Sequence, residues 1–320
     1  MRRGGPFFAI AWLTALEAIR RPVFLLVALS CLAGITLLPW MLNYTLGDSG
    51  RIIRDSALSF TFVGGLLLAA YAAGETLSRE LQRGTAAVLL AKPVKRPVFF
   101  LAKTLGIILA ILLFTLAALS ATLLAVRAGA NDLMLDRTAA LPALAALLLG
   151  PAAAGIWNHH TGRPFTSTAF LLLCVLFPGA VLLAAGLPPP FESLAFAHTL
   201  PWPILQVGVL IFFALCMVTS AASALATRLP LSAVLLLCAG LFLGGLMSDY
   251  VLGPHLEASW LARLAYAVLP NVQAFWLLDA LDGLHRIPSV YVLTAAGYAA
   301  AWSALCLLAG SFSFQKLEIS

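Results

Sequence analysis

Long apolar runs alternate with short polar segments along the whole chain. A helix of about 20 apolar residues crosses the ~30 Å hydrocarbon layer of a bilayer. Runs of this kind lie at about 22–42, 57–74, 98–126, 138–157, 165–187, 201–226, 231–247 and 288–310. The pattern predicts an all-α fold, a polytopic transmembrane helical bundle of six to eight spans. The runs at 138–157 and 165–187 leave two alternatives open, because either both cross the membrane or both are re-entrant or surface helices.

The N-terminal residues 7–21 have a different pattern. Thr14, Glu17 and Arg21 stand three or four residues apart and form one polar stripe on an otherwise apolar helix. This pattern is typical of a helix that lies in the membrane surface. The alternative is a simple extension of the first span.

Composition extends the membrane interpretation to the whole chain. Hydrophobic residues make up 62% and charged residues 10% of the 320 residues, whereas soluble proteins have about 25% charged residues. We therefore expect a single transmembrane domain over 1–320, with no room for a soluble catalytic domain of ordinary size. The five cysteines lie within apolar runs, where they act as small hydrophobic residues.

The charged residues predict the orientation. The net charge of +6 is explained by the positive-inside rule, with Lys and Arg in cytoplasmic loops, and does not require a nucleic-acid partner. Segment 75–97 is strongly charged and is predicted to be cytoplasmic. Segment 248–287 has four acids against two arginines and is predicted to lie on the outer face. Both termini are then cytoplasmic.

Segment 75–97 also contains acids that a simple positive-inside loop does not predict. Glu75 stands four residues before Arg79, and Glu80 three before Arg83, spacings that support an exposed helix. Leucines at helical spacing give the same segment an apolar stripe. A charged helix with such a stripe is predicted to cover either the membrane surface or a protein partner.

One run of residues in this region resembles a family signature. It consists of Glu80-x-x-x-Gly84-Thr85, Leu89-Leu90, Lys92-Pro93-Val94-x-Arg96 and Phe99-Phe100-Leu101-x-Lys103-x-x-Gly106. This run is similar to the motif of ABC-2-type permeases, the membrane subunits of one class of ATP-binding-cassette transporter. The family also has an N-terminal elbow helix, which residues 7–21 match. The family pattern has six spans, and segment 128–200 here adds two apolar stretches to it.

The resemblance implies a function and a set of partners. It implies a permease, an exporter, in a bacterial-type inner membrane, paired with a second permease copy or a paralogue. A separate ATPase subunit, carrying ATP and Mg²⁺, would dock on the coupling helix at 75–91. The docking residues implied are Glu75, Arg79, Glu80, Arg83, Gly84 and Thr85, and the residues at the lipid headgroups are Lys92, Arg96 and Lys103.

Other chemistry has little support in the sequence. No Gly-x-x-x-x-Gly-Lys-Ser/Thr motif occurs, so ATP hydrolysis is expected only in a partner chain. The pair His159-His160 lacks a third metal ligand nearby, and neither a metal nor another cofactor is expected in this chain. Two alternatives remain, a mechanical or regulatory membrane subunit that moves no solute and, with less support, an intramembrane protease.

Overall fold

The computed structural model describes residues 5–42, 48–82, 95–131, 134–188, 200–255, 257, 259–277 and 287–315, of which 5–6, 78–82 and 267 are described by their backbone alone. These residues form ten α-helices and no β-strand. The helices are α1 (Gly5–Ile19), α2 (Pro22–Met41), α3 (Ser49–Gln82), α4 (Arg96–Ala128), α5 (Arg137–Thr161), α6 (Phe165–Gly186), α7 (Ile204–Leu225), α8 (Leu231–Leu252), α9 (Trp260–Val268) and α10 (Ser289–Gln315). Two 3₁₀ turns cover Gly253–His255 and Gln273–Phe275. The predicted all-α helical bundle is confirmed.

Eight of the helices, α2 to α8 and α10, are long and apolar enough to cross a membrane. The chain is therefore an integral, multi-pass membrane protein. The second span differs from its prediction, since α3 begins at Ser49 and continues to Gln82 instead of occupying 57–74. The first eight residues of α3 were expected in a polar loop, and its last eight in the charged segment after the span.

The two apolar stretches within 128–200 form a hairpin of full-length helices. The start of α5 lies beside the end of α4, where the Arg127 side chain donates to the Asp136 carboxylate at 3.0 Å. The start of α6 lies beside the joint between α1 and α2, where Thr166 Oγ1 donates to the Arg20 carbonyl at 2.8 Å. With 25 residues, α5 rises about 37 Å between these points. The structure thus agrees with the alternative in which both helices cross.

The centre of the bundle consists of α3, α4 and α7, which pack against one another. About 72% of the residues in the apolar part of α3 are buried, against 22% in α8 and 11% in α10. The helices α8 and α10 therefore lie at the edge of the bundle and present apolar side chains outward, as lipid-facing helices do. The hairpin of α5 and α6 packs on α2 and α4.

Because successive spans run antiparallel, the bundle has two faces. The α1 face contains α1, the end of α3, the start of α4 and the end of α10, where Arg96 Nη1 donates to the Gln315 carbonyl at 3.0 Å. The opposite face contains the start of α3 and the end of α4, where Ser49 Oγ donates to the Gly129 carbonyl at 2.9 Å. The ends of α6 and α8 also lie on the opposite face.

Candidate functional site

The α1 face contains a junction of three helices, held together by one arginine. Arg21 lies between α1 and α2, and its Nη2 donates to Glu17 Oε1 at 2.8 Å. Its Nη1 lies 3.8 Å from Glu75 Oε1, near the end of α3. Arg21 thus connects the N-terminal helix, the first span and the second span at the point where the chain leaves the second span. We call Glu17, Arg21 and Glu75 the α1–α3 junction.

Glu75 lies inside the protein. The residue is 5% exposed, and Thr76 and Leu77 beside it are also buried. Gly74, next to Glu75, lies against Leu231 and Val234 in the first turn of α8. This burial differs from the exposed position expected for Glu75, because Arg21 and the packed end of α3 cover most of the residue. Its place in a docking surface stays a prediction.

The helix α1 is separate from the first span and packs along α4. A break at Arg20 and Arg21 separates α1 from α2, so the alternative of a simple extension is wrong. A Cβ atom on Gly106 of α4 would overlap the Ala11 carbonyl oxygen and lie 2.7 Å from Thr14 Cβ. Only glycine leaves space for this crossing of two backbones.

The two faces of α1 differ from the sequence expectation. Thr14 was expected on a polar stripe, but it is 2% exposed against α4 and donates to the Ile10 carbonyl at 2.9 Å. The outward face carries Phe8, Trp12 and Leu13, which are 57–66% exposed. An exposed apolar face of this kind suits the membrane surface, and the hydroxyl on the inner face is satisfied within its own helix.

Two of the three residues predicted at the lipid headgroups, Arg96 and Lys103, lie at the start of α4, and the structure describes their side chains. Arg96 donates to the last described turn of α10, as noted above, and Phe99 and Phe100 pack on Phe314 with ring centroids 6.2 and 6.1 Å apart. Lys103 is 4% exposed, and its Nζ lies 5.3 Å from the centroid of the Phe99 ring. Lys103 is therefore buried beside Phe99, whereas the sequence predicted it at the lipid headgroups, and that position stays a prediction.

The other predicted site residues lie at the margin of the described chain. Arg79 and Glu80 belong to the last turns of α3, and only their backbone is described. Arg83, Gly84, Thr85 and Lys92 lie outside the described residues.

A second charged cluster, which the sequence analysis missed, lies at the opposite end of α4. Arg127 is 4% exposed. Its guanidinium group donates to Asp136 at 3.0 Å, to Thr138 Oγ1 at 2.9 Å and to the Leu187 carbonyl at 2.8 Å, and it also donates to the Ala184 carbonyl. Asp136 Oδ1 in turn accepts from the Thr138 backbone N–H at 2.8 Å and caps α5. We call Arg127, Asp136 and Thr138 the Arg127 clamp.

A third polar group lies where α8 ends on the opposite face. The Asp249 carboxylate accepts from the Tyr266 hydroxyl at 2.6 Å and from Asn271 Nδ2 at 3.0 Å. The hydrogen bond to Asp249 raises the pKa of Tyr266 above its ordinary value. The sequence analysis placed this segment on one face without pairing its residues.

The described part of the chain has no group of side chains that could hold a metal ion. No cluster of three or more His, Cys, Asp and Glu residues is present there. His159 and His160 are exposed at the end of α5 with their rings 5.4 Å apart.

Neither a family model nor a curated protein matches this chain. The fold defines its class, a multi-pass membrane protein whose described residues form eight apolar helices long enough to cross a membrane.

Proposed function

We propose that this chain is the permease subunit of an ATP-binding-cassette transporter of the ABC-2 type, an exporter driven by a separate ATPase subunit. The ATPase would dock on the segment that follows Leu77 and push on the end of α3. A second permease copy or a paralogue would complete the assembly within the membrane, and the exposed apolar helices α8 and α10 offer surface for it.

The distribution of charge supports a cytoplasmic α1 face. Among side chains that the structure describes, this face has seven Lys and Arg residues against two acids, whereas the opposite face has five against five. Positive charge concentrates on the cytoplasmic side of membrane proteins. Both termini would then be cytoplasmic, in an inner membrane of the bacterial type, and an ATPase would reach the α1 face from the cytoplasm.

The observation that carries the proposal is the position of the α1–α3 junction. Arg21 contacts Glu75 in the last turns of α3, immediately before the segment with the family motif. Movement of that segment would reach α1 and α2 through Arg21, and the start of α8 through the packing of α3 on α8. A coupling helix needs such a connection, because force applied at a loop must be passed to the spans.

The burial of Glu75 changes its proposed role. Arg79, Glu80, Arg83, Gly84 and Thr85 remain the proposed docking residues, with Lys92 and Arg96 next to the headgroups. Glu75 becomes a positioning residue, which holds the end of α3 against Arg21 while the residues after it bind the partner.

The proposal is tested by co-purification from native membranes. A tagged chain is solubilised in a mild detergent, and ATP hydrolysis in the eluate is compared for the wild type, Glu80→Lys and Glu257→Lys. Glu257 is exposed on the opposite face, so the control changes charge equally without touching the docking segment. We expect ATPase activity with the wild type and Glu257→Lys and its loss with Glu80→Lys.

A substitution of Gly84 extends this test. Gly84→Trp places a bulky side chain on the docking segment and is expected to separate ATP hydrolysis from transport without unfolding the membrane domain, which gel filtration would check. An eluate without ATPase activity, even for the wild type, would reject the transporter proposal.

A further inference from the structure

The polar cluster at the end of α8 adjoins an open cleft. The cleft has a volume of about 350 Å³ and is lined by Tyr266, Asn271, Ala274 and Tyr298. The Asn271 backbone N–H donates to the Tyr298 hydroxyl at 3.0 Å, so two phenol rings and a carboxamide are fixed around it. Asp249 is bonded to two of these lining residues. The volume of the cleft is near the lower end of the range for small-molecule sites, roughly 300 Å³.

The chemistry of this cleft suits an organic cation. Tyrosine rings attract an ammonium group through their π faces, and Asp249 supplies a negative charge beside them. No basic side chain forms an ion pair with Asp249 in the part of the chain that the structure describes. Tyr266 and Asn271 hold the carboxylate without neutralising it, so its charge is available to a ligand.

The helix α9 places this cluster at the membrane surface. Trp260, Leu264 and Val268 recur at four-residue intervals along α9 and are 56–71% exposed. An exposed apolar stripe on a short helix enters the lipid at headgroup depth. Tyr266 on the same helix is therefore held at the depth where lipid headgroups lie.

An apolar cleft lies deeper on the same side of α8. It has a volume of about 280 Å³ and is lined by Ser59, Phe62, Val63, Phe242, Leu246 and Trp276. The Phe62 ring lies 5.0 Å from the Phe242 ring and 5.5 Å from the Trp276 ring, measured between centroids. These aromatic walls suit an alkyl chain.

The two clefts are aligned along one face of α8. Phe242, Leu246 and Asp249 stand four and three residues apart, a spacing that puts them on the same side of a helix. Asp249 is about 10 Å further along the axis than Phe242. The segment 270–276 covers this side, with the Val272 N–H bonded to the Gly245 carbonyl at 3.2 Å. A Cβ on Gly245 would lie 2.6 Å from Val272 Cγ2, so glycine permits this close contact.

We propose that this face of α8 binds an amphiphile with an ammonium headgroup and an alkyl tail. The headgroup occupies the cleft between Tyr266 and Tyr298 beside Asp249, and the tail occupies the cleft between Phe62, Phe242 and Trp276. The geometry rests on the residues alone and holds whether or not an ATPase drives this chain. A membrane lipid with an ammonium headgroup and a free long-chain amine share this chemistry.

The test measures binding of dodecyltrimethylammonium to the full chain. The protein is reconstituted in nanodiscs of an uncharged galactolipid, which has no ammonium group, and titrated calorimetrically with subtraction of empty nanodiscs. Dodecyl sulfate has the same tail with an anionic head, and tetramethylammonium has the head without the tail. We expect saturable binding of dodecyltrimethylammonium alone.

Two variants and a control assign the two halves of the site. Asp249→Asn should weaken dodecyltrimethylammonium binding at least tenfold, and Phe242→Ala should weaken it several-fold. Asp48→Asn makes the same charge change at an exposed position on the same face and should leave binding unchanged.

A competition separates the sources of the ligand. Dodecylphosphocholine has the ammonium group of the probe joined to a phosphate, as in a lipid headgroup. Displacement of the probe by dodecylphosphocholine indicates a membrane lipid as the ligand. A failure to displace the probe indicates a free long-chain amine. Absence of saturable binding in the wild type, equal binding of dodecyl sulfate, or equal affinities of Asp249→Asn and Asp48→Asn would overturn the proposal.

Discussion

The two faces of the bundle hold their helices together in different ways. At the opposite face, the Arg127 clamp encloses a guanidinium group whose side chain is 3% exposed and whose donors are bonded to α5 and α6. At the α1 face, the α1–α3 junction joins an arginine side chain that is 30% exposed to a Glu75 side chain that is 7% exposed, and the two stand 3.8 Å apart. Buried charges that lose a partner are costly, whereas partly exposed pairs contribute little. The comparison indicates one fixed end and one adjustable end.

This difference would suit the proposed permease, in which an ATPase moves the α1 face. The clamp keeps α4, α5 and α6 in a single arrangement at the opposite face. The junction can lengthen or shorten its Arg21–Glu75 distance at small cost, because water reaches Arg21. Movement that arrives at the end of α3 would therefore reorganise the α1 face first.

The largest effect is expected from breaking the clamp. Arg127→Ala leaves the Asp136 carboxylate buried without its guanidinium partner, and should lower the free energy of unfolding by about 3–5 kcal/mol. Arg127→Lys keeps the charge but cannot contact α5 and α6 with a fork of donors, so its loss should be intermediate. Unfolding by dodecyl sulfate in mixed micelles, followed by circular dichroism, measures both. An Arg127→Ala protein as stable as the wild type would show that the clamp does not hold this end.

A smaller effect is expected at the crossing of α1 and α4. Gly106→Ala pushes a methyl group into the Ala11 carbonyl and should cost about 1–3 kcal/mol, with α1 displaced from α4. Gly155→Ala is the matched control, because nothing lies within 4 Å of the added Cβ and alanine favours a helix interior by up to about 1 kcal/mol. Proteolysis of α1, compared between the two variants, reports the displacement. Equal protection of α1 in both would contradict the close crossing.

The sequence predicted the spans well because their length and hydropathy are set by the membrane. It did not decide whether α5 and α6 cross the membrane. The length of an apolar run does not show which face of the bundle each end of the helix contacts. It placed Glu75 on a separate, exposed cytoplasmic helix, because the i,i+4 spacing of Glu75 and Arg79 supports a solvated helix after the apolar run. The continuation of α3 depends on contacts with α1 and α8 that lie far apart in the chain.

The missed clusters have the same physical origin. The Asp136-Arg137-Thr138 run is a local signal for a helix start, and Asp136 caps α5 in the structure. Nothing near Arg127 in sequence identifies the carbonyls of Ala184 and Leu187 as its partners, nearly sixty residues away. Asp249, Tyr266 and Asn271 are likewise spread over three elements and meet only after folding.

The smallest pairwise interaction free energy is expected between Arg21 and Glu75 of the α1–α3 junction, and breaking this pair should have the largest effect on coupling. Arg21→Gln and Glu75→Gln each keep most of the side-chain volume. In a double-mutant cycle their interaction free energy should be about 0.2–1 kcal/mol, the range of partly exposed pairs. If the junction transmits movement, either change should lower ATP-dependent transport while the bound ATPase is retained. Loss of the ATPase with Glu75→Gln would instead return Glu75 to the docking surface, and an interaction above about 3 kcal/mol would make this end as fixed as the clamp.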